Sequence, residues 1–192
     1  MALSLVTAPT IEPLSYDEAK AHCRVDTDEE SGLLNALIQT AREYAERYTS
    51  RALLPQTWDW KLDAFPCGEF VLPLPPVTSI TSISYVDTDG DSQTWSSALY
   101  RTDLPSGPTA ARARIEPVYG EVYPQTRALS NAVTVRFVCG YANEAAVPSS
   151  IKAAMLLLIG HWYGNREPVV VGAITTSVPL AVDALLWPYK VF

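Results

Sequence analysis

The side chains best suited to acid–base, nucleophilic or metal chemistry are few and scattered in this sequence. Histidine occurs twice, as His22 and His161, and cysteine three times, as Cys23, Cys67 and Cys139. An imidazole works as a base or metal ligand when a second polar group orients it. Each histidine here falls within or beside an apolar helical pattern instead, which predicts a structural role. His22 next to Cys23 makes no dyad, because adjacent helical residues point roughly a quarter-turn or more apart. The cysteines are odd in number, widely separated and without a Cys-x-x-Cys pair, so buried thiols are expected in place of a disulfide framework or zinc site. Asp87, Asp89 and Asp91 alternate as in a calcium loop. The glycine, however, stands at the fourth place instead of the sixth and the twelfth lacks a glutamate, which removes both the sharp turn and the bidentate ligand. No Gly-x-Ser-x-Gly, phosphate-cradling glycine loop or His-Glu-x-x-His is present. The expectation is a protein without a reaction centre, a metal or a cofactor.

Composition narrows the partners. The chain has 192 residues, 48% hydrophobic and 18% charged, which suits one domain or a core with one inserted subdomain. With 21 acidic and 14 basic residues the net charge is −7. Surfaces that grip phosphates concentrate Lys and Arg, so sequence-specific nucleic-acid binding is not expected, although like charge would let a polyanion slide past without sticking. No apolar run reaches the roughly 18 to 20 residues that span a bilayer, and no basic, cleavable leader is evident. A cytoplasmic protein without membrane contact is expected.

Two helical ends enclose a β-patterned middle. Ser15-Tyr-Asp-Glu18 is a capping box with Leu14 and Ala19 as a staple, opening a helix over 15–24 whose Tyr16, Ala19 and Cys23 share a face. A second start at Thr27, with Glu30 three residues on, leads into Leu33, Leu34, Leu37, Ile38, Ala41, Tyr44, Ala45 and Tyr48 at three-and-four spacing, predicting an amphipathic helix over 28–49. Its other face, with Gln39, Arg42, Glu43, Glu46 and Arg47, is expected to be solvated, a subunit contact being the alternative.

After Leu54-Pro55 the period becomes two. Trp58, Trp60 and Leu62 alternate with Thr57, Asp59, Lys61 and Asp63, and further strands are expected at 70–72, 77–86 and 131–141. Asp89-Gly90 predicts a hairpin turn with positive φ at both central positions, returning through Gln93 to Trp95. The stretch from Leu104 to Ala113 is expected to be a mobile loop.

Beyond Pro148, the residues Ile151, Ala154, Met155, Leu158, Ile159 and Trp162 form a stripe wide enough to place a helix over 149–163 in the middle of the helical layer. Gly164-Asn165 stops it, and Pro179 opens a last helix over 179–187. The fold class is therefore expected to be α+β: a small helical bundle built from both chain ends, 1–50 and 146–192, with an inserted antiparallel β subdomain over 51–145. Facing stripes assign Leu34, Leu37, Ile38, Ala41, Tyr44, Met155, Leu158 and Trp162 to the bundle core.

Seven passages in order along the chain resemble the phage head-tail connector family of tailed phages, prophages and gene transfer agents. They are Leu14-Ser-x-x-Glu18-Ala-Lys with His22-x-Arg24-Val-Asp26; Arg51-x-Leu-Leu-Pro-Gln-Thr57; Leu74-Pro-Pro-Val77; Val133-x-Val-x-Phe-x-x-Gly-Tyr141; Pro148-x-x-Ile-Lys-x-Ala; His161-Trp-Tyr-x-Asn-Arg-Glu167; and Pro179-x-x-Val-x-x-Leu-Leu-x-Pro-Tyr189. The resemblance implies a structural head completion or adaptor protein of the virion neck, made in the host cytoplasm. It further implies a homo-oligomeric ring, commonly of twelve subunits, that docks under the portal protein and meets a downstream head-tail joining or tail protein. DNA would pass through the lumen without specific binding.

Two segments carry apolar side chains with no evident place in a core. Residues 167–178 are apolar but interrupted by Pro and Gly, which fits an edge strand or a piece that orders on a neighbour. Trp187, Tyr189 and Phe192 place three aromatics behind Pro188 with Lys190 among them, the residue types that anchor interfaces. Arg166, Glu167, Val169, Val170, Val171, Ile174, Trp187, Tyr189, Lys190 and Phe192 are therefore the candidate contact residues, and the resemblance implies the portal or the next subunit as their partner. Two other functions are weighed: a binding module that exposes the Trp58 and Trp60 face, and a hydrolase using His161, Glu167 and a nearby acid.

Overall fold

The computed structural model describes residues 2–165 and 179–192. The chain divides into two compact units, Met1–Thr10 with Pro55–Tyr141 and Ile11–Leu54 with Ala142–Phe192. The first ten residues, expected with the helices of 1–50, thus belong to the β unit.

In the helical unit, α1 (Tyr16–Cys23) begins at the expected box: the Glu18 amide donates to Ser15 Oγ at 3.1 Å and the Ser15 amide to Glu18 Oε2 at 2.8 Å. Such a cap contributes about 1 kcal/mol. Arg24, left-handed at φ 54°, ends the helix. The second helix, α2 (Ser31–Thr49), starts later than the expected Thr27, with Glu30 at the N-cap and no side-chain cap bond. One row of α2 side chains, Leu34, Ile38, Ala41, Ala45 and Thr49, is buried throughout. The neighbouring row, Leu33, Leu37, Thr40, Tyr44 and Tyr48, lies only half covered or exposed. Hence Leu34, Ile38, Ala41, Met155 and Leu158 are core as expected, Leu37 and Trp162 are half-buried, and Tyr44 is exposed. The covering helices are narrower than the stripe, so its flank stays outside.

A third helix, α3 (Ser149–Gly164), touches α1, α2 and α4 (Pro179–Leu186), occupying the middle of the layer as its broad stripe predicts. Val182 and Leu186 bury the inner side of α4.

Arg42 corrects the expectation of a wholly solvated charged face on α2. It is 7% exposed, its Nε donating to Glu12 Oε2 at 2.7 Å and its second guanidinium nitrogen to Glu46 Oε2 at 2.9 Å. Glu46 Oε1 in turn accepts the Leu53 amide at 2.9 Å. The clamp ties the chain entering the unit to the chain leaving it, a relation that local spacing could not reveal.

The β unit holds two antiparallel sheets. In the first, β1 (Ala2–Thr7), β2 (Gln56–Leu62), β4 (Val77–Val86), β5 (Ser92–Thr94) and β8 (Val133–Cys139) stand in the order β1-β2-β8-β4-β5. The second runs β3 (Phe70–Val71), β7 (Arg114–Pro117), β6 (Tyr100–Asp103). Register sets Trp58, Trp60 and Leu62 against Phe137, Val135 and Val133 on one face, and Asp59 against Arg136 on the other. Arg136 grips both Asp59 oxygens, at 2.7 and 2.8 Å, and these bonds hold the carboxyl below its usual pKa.

The apolar face of the large sheet meets an aromatic cluster around Phe65, whose ring centroid lies 5.4 to 5.9 Å from those of Phe70, Tyr85, Trp95 and Tyr123. Trp60 joins through Phe70 at 5.5 Å. Both indoles of β2 are half-buried, Trp60 against Phe70, so the Trp58 and Trp60 face is partly covered.

The expected hairpin between β4 and β5 is present with a different turn. Among its central residues only Gly90 has positive φ, at 102°, and Asp87 Oδ1 accepts the amides of Asp89, Gly90 and Asp91. A side-chain acceptor thus substitutes for a tight two-residue turn. Within the stretch expected as a mobile loop, Ala110 and Ala113 are buried, and the Tyr141 hydroxyl donates to the Pro108 carbonyl at 2.7 Å.

Candidate functional site

His22 and Cys23 lie on α1, and His161 lies on α3 next to the glycine that His22 packs against. Exposed His22 sits on α1 with its ring against the backbone of α3: a Cβ added at Gly160 would come within 3.0 Å of His22 Nε2. Gly160 thus gives the imidazole its space. His161, half-buried on α3, has Nδ1 3.3 Å from the Asn165 amide nitrogen, which also donates to the His161 carbonyl at 2.9 Å. This is a helix-end arrangement that closes α3. Glu167, the proposed partner of His161 in a hydrolase, lies outside the described residues.

Of the thiols, Cys139 is buried, Cys23 half-buried and Cys67 exposed, which corrects the expectation of three buried cysteines. Asp87 spends one oxygen on three backbone amides, while the other accepts the Gln93 side chain at 2.9 Å. Those bonds, Gln93 first, lower its pKa and leave the carboxylate organising a turn. Among the described residues no group of three His, Cys, Asp or Glu side chains could hold a metal ion, and no helix is long and apolar enough to cross a membrane.

What the helical unit does present is an aromatic surface. Thr40, Glu43, Tyr44, Arg47, Tyr48 and Trp162 line an open groove of about 440 Å³. Tyr44 stacks on Tyr48 with centroids 6.3 Å apart, and Trp162 stands edge-on to Tyr44 at 6.4 Å. Tyr48 has its hydroxyl pKa raised by partial desolvation and by Asp183 of α4.

Lys190 continues this surface into the tail, its ammonium 5.3 Å from the Tyr48 ring centroid and 5.5 Å from those of Trp187 and Phe192. Trp187 and Phe192 are 57% and 79% exposed, although they pack edge to face at 5.7 Å. The tail backbone is nevertheless pinned: the Val191 amide donates to the Thr49 carbonyl at 2.9 Å, and Arg51 Nε to the Tyr189 carbonyl at 2.5 Å. A fixed backbone that presents exposed rings is suited to contact.

Of the candidate contact residues, Trp187, Tyr189, Lys190 and Phe192 come together here, with Tyr189 and Lys190 half-buried. Arg166, Glu167, Val169, Val170, Val171 and Ile174 lie outside the described residues. The groove itself was missed because periodicity placed Tyr44 and Trp162 in the core. Its signal was the width of the apolar stripe on α2, which exceeds the one row that a single covering layer needs.

Residues 15–80 match the family model described as phage gp6-like head-tail connector protein. No curated protein matches the chain. Among solved structures, a chain in the neck of an empty gene transfer agent (GTA) particle, computed with C6 symmetry, is 27% identical with a TM-score of 0.81, covering 100% of this chain and 96% of that one. A chain in the virion of the native GTA particle is 27% identical with a TM-score of 0.80, again over 100% and 96%. One in the neck of the native GTA particle, computed with C12 symmetry, is 25% identical with a TM-score of 0.74 over the same shares. The resemblance drawn from the seven passages and the mixed α+β class are borne out by these matches, including the β unit beyond the family-model match.

Proposed function

We infer that this chain is a structural head-tail connector of the gp6-like kind, a ring-forming component of a virion neck. The observation that carries the reading is the extent of the likeness: both units, over 100% of the chain, match proteins of GTA necks and virions. Rotational symmetry in those necks supports a homo-oligomer, and twelve subunits is the number we propose. At −7 per chain, twelve copies carry roughly −84, a charge suited to a channel through which DNA slides without binding. The portal above and a head-tail joining or tail protein below are the proposed partners, and the ring assembles from subunits in the host cytoplasm. Catalysis has no part in this role.

The exposed tail supplies the contact. Trp187, Phe192 and Lys190, with the groove beside Tyr44 and Trp162, form the surface we assign to the portal or the adjoining subunit; residues 166–178 belong to the same proposal on sequence grounds. Deleting 187–192 would also remove the Tyr189 carbonyl that Arg51 uses, so the cleaner test is the double substitution Trp187→Ala, Phe192→Ala. Electron microscopy of the variant mixed with its portal should show folded subunits that fail to decorate the portal or close a ring. Decoration with unchanged affinity would refute the assignment.

A further inference from the structure

The five-stranded sheet ends in strands that carry no charge and are incompletely covered within their own unit. β1 is bonded to β2 on one side and exposed at all six positions, with Leu3, Leu5 and Val6 at 41%, 49% and 45%. At the opposite end, β5 is three residues long and pairs only with Ser84, Tyr85 and Val86. The preceding part of β4, at Thr78, Ser79 and Ile80, borders an open groove of about 320 Å³.

Exposed sheet edges invite pairing with another chain, and proteins normally guard them with charges, proline or bulges. In the large sheet the charged residues Asp59, Lys61 and Arg136 stand on the inner strands β2 and β8, while in the smaller sheet β6 carries Arg101 and Asp103 and β7 carries Arg114 and Glu116. None falls in β1, β4 or β5, and none of the three contains proline. β1 has one irregularity, between Leu5 and Thr7. At the other end, β5 is short, β4 has register shifts between Val77 and Ser79 and between Ile80 and Ser82, and Arg101 of β6 lines the groove beside it, so what the two opposite ends of the sheet share is strands without charge or proline.

We propose that the outer edge of β1 receives the β4–β5 edge of a second copy of this chain, so that neighbouring large sheets join edge to edge. The proposal rests on the ring reading above and adds the surface through which copies meet. Contacts around a rotational ring are heterologous, each copy offering two different surfaces, and opposite ends of one sheet meet that requirement. Successive antiparallel pairings make β1 and β4 run in opposite directions. Copies related by rotation about the strand direction would therefore form an antiparallel ladder, with main-chain bonds supplying affinity and Leu3 and Leu5 supplying apolar contact.

The test is a photoreactive amino acid placed at Ser4 of the full chain, irradiated after assembly with portal, with cross-links mapped by mass spectrometry. Cross-links to residues 77–104 of a second copy are expected. Links only to the portal, links elsewhere on a second copy, or none within a formed ring would overturn the edge pairing while leaving the connector reading intact. Absence of any ring from the unmodified protein with portal would overturn both. In parallel, Val6→Lys should lower ring yield about tenfold with an unchanged melting temperature, equivalent to about 1.4 kcal/mol at one contact. Unchanged yield from that folded variant would also count against the pairing.

Discussion

Arg42→Met tests the clamp of the helical unit most directly. Methionine keeps much of the side-chain stem and its packing while deleting the guanidinium. Two charge-assisted bonds are lost, to Glu12 at 2.7 Å and to Glu46 at 2.9 Å, each contributing about 1.5 to 3 kcal/mol when its partner stays buried. The partners differ in access to water. The Glu12 side chain is 31% exposed and can regain solvent, whereas that of Glu46 is 15% exposed and remains tied to the Leu53 amide. Weighting Glu12 at the low end gives a loss of about 3 kcal/mol. For a chain of this length unfolding in one transition, that lowers the midpoint by about 6 to 12 °C. Urea and thermal denaturation followed by circular dichroism measure it. Adding Glu46→Gln removes the stranded charge while keeping an acceptor for Leu53, and should return about 1 kcal/mol. A loss below about 1 kcal/mol for Arg42→Met, or a further loss on adding Glu46→Gln, would show that water already satisfies both carboxylates.

Phe65→Ala removes the hub that four aromatic rings share, and should cost about 3 kcal/mol, read as a lower urea midpoint; near-wild-type stability would mean that the cluster closes over the gap. Acid should weaken the fold through Asp59, lowered chiefly by its bonds to Arg136, and Glu18, lowered chiefly by the Ser15 amide. A folded pKa below the unfolded one stabilises above the unfolded value and is lost as pH falls through the folded value, so stability should be flat near neutrality and decline below about pH 4. Asp59→Asn should flatten that acid limb in a pH series of melts, and an unaltered limb would argue against the Asp59 contribution. His161→Gln should alter stability by about 1 kcal/mol or less and leave particle assembly intact; failed assembly by a folded His161 variant beside a normal His22→Gln control would assign His161 a specific role.

The helices were legible because their signals are local. Ser15 and Glu18 cap within one turn, and the row Leu34, Ile38, Ala41 and Ala45 announces itself by spacing. Strand β2 was legible for the same reason, through the alternation of Trp58, Trp60 and Leu62. What stayed hidden depends on distant residues. β1 offers only six exposed positions, so no inward and outward alternation marks it, and its partner lies more than fifty residues on. Strands β6 and β7 are short and alternate weakly. Arg42 looked solvated because Glu12 is thirty residues away, and Tyr44 looked buried because periodicity does not state how wide a face the neighbouring helices cover. Of the contact surface, the tail aromatics were visible by composition, whereas the groove that adjoins them required the packing of α2 against α3.

The strand order has a consequence for synthesis on the ribosome. Strand β8 sits at the centre of the large sheet, between β2 and β4, yet is the last of its strands in the sequence. Until Cys139 has emerged, only the outer pairs β1 with β2 and β4 with β5 can form, each exposing the edge that β8 will later occupy. At roughly 5 to 20 residues per second, the interval between Leu62 and Cys139 lasts several seconds. During that time β1–β2, joined from Thr94 onward by β4–β5, lacks the strand that separates the two pairs in the folded sheet. Ribosome-bound chains ending before residue 133 should therefore need chaperone protection to a degree that chains extending past α4 do not.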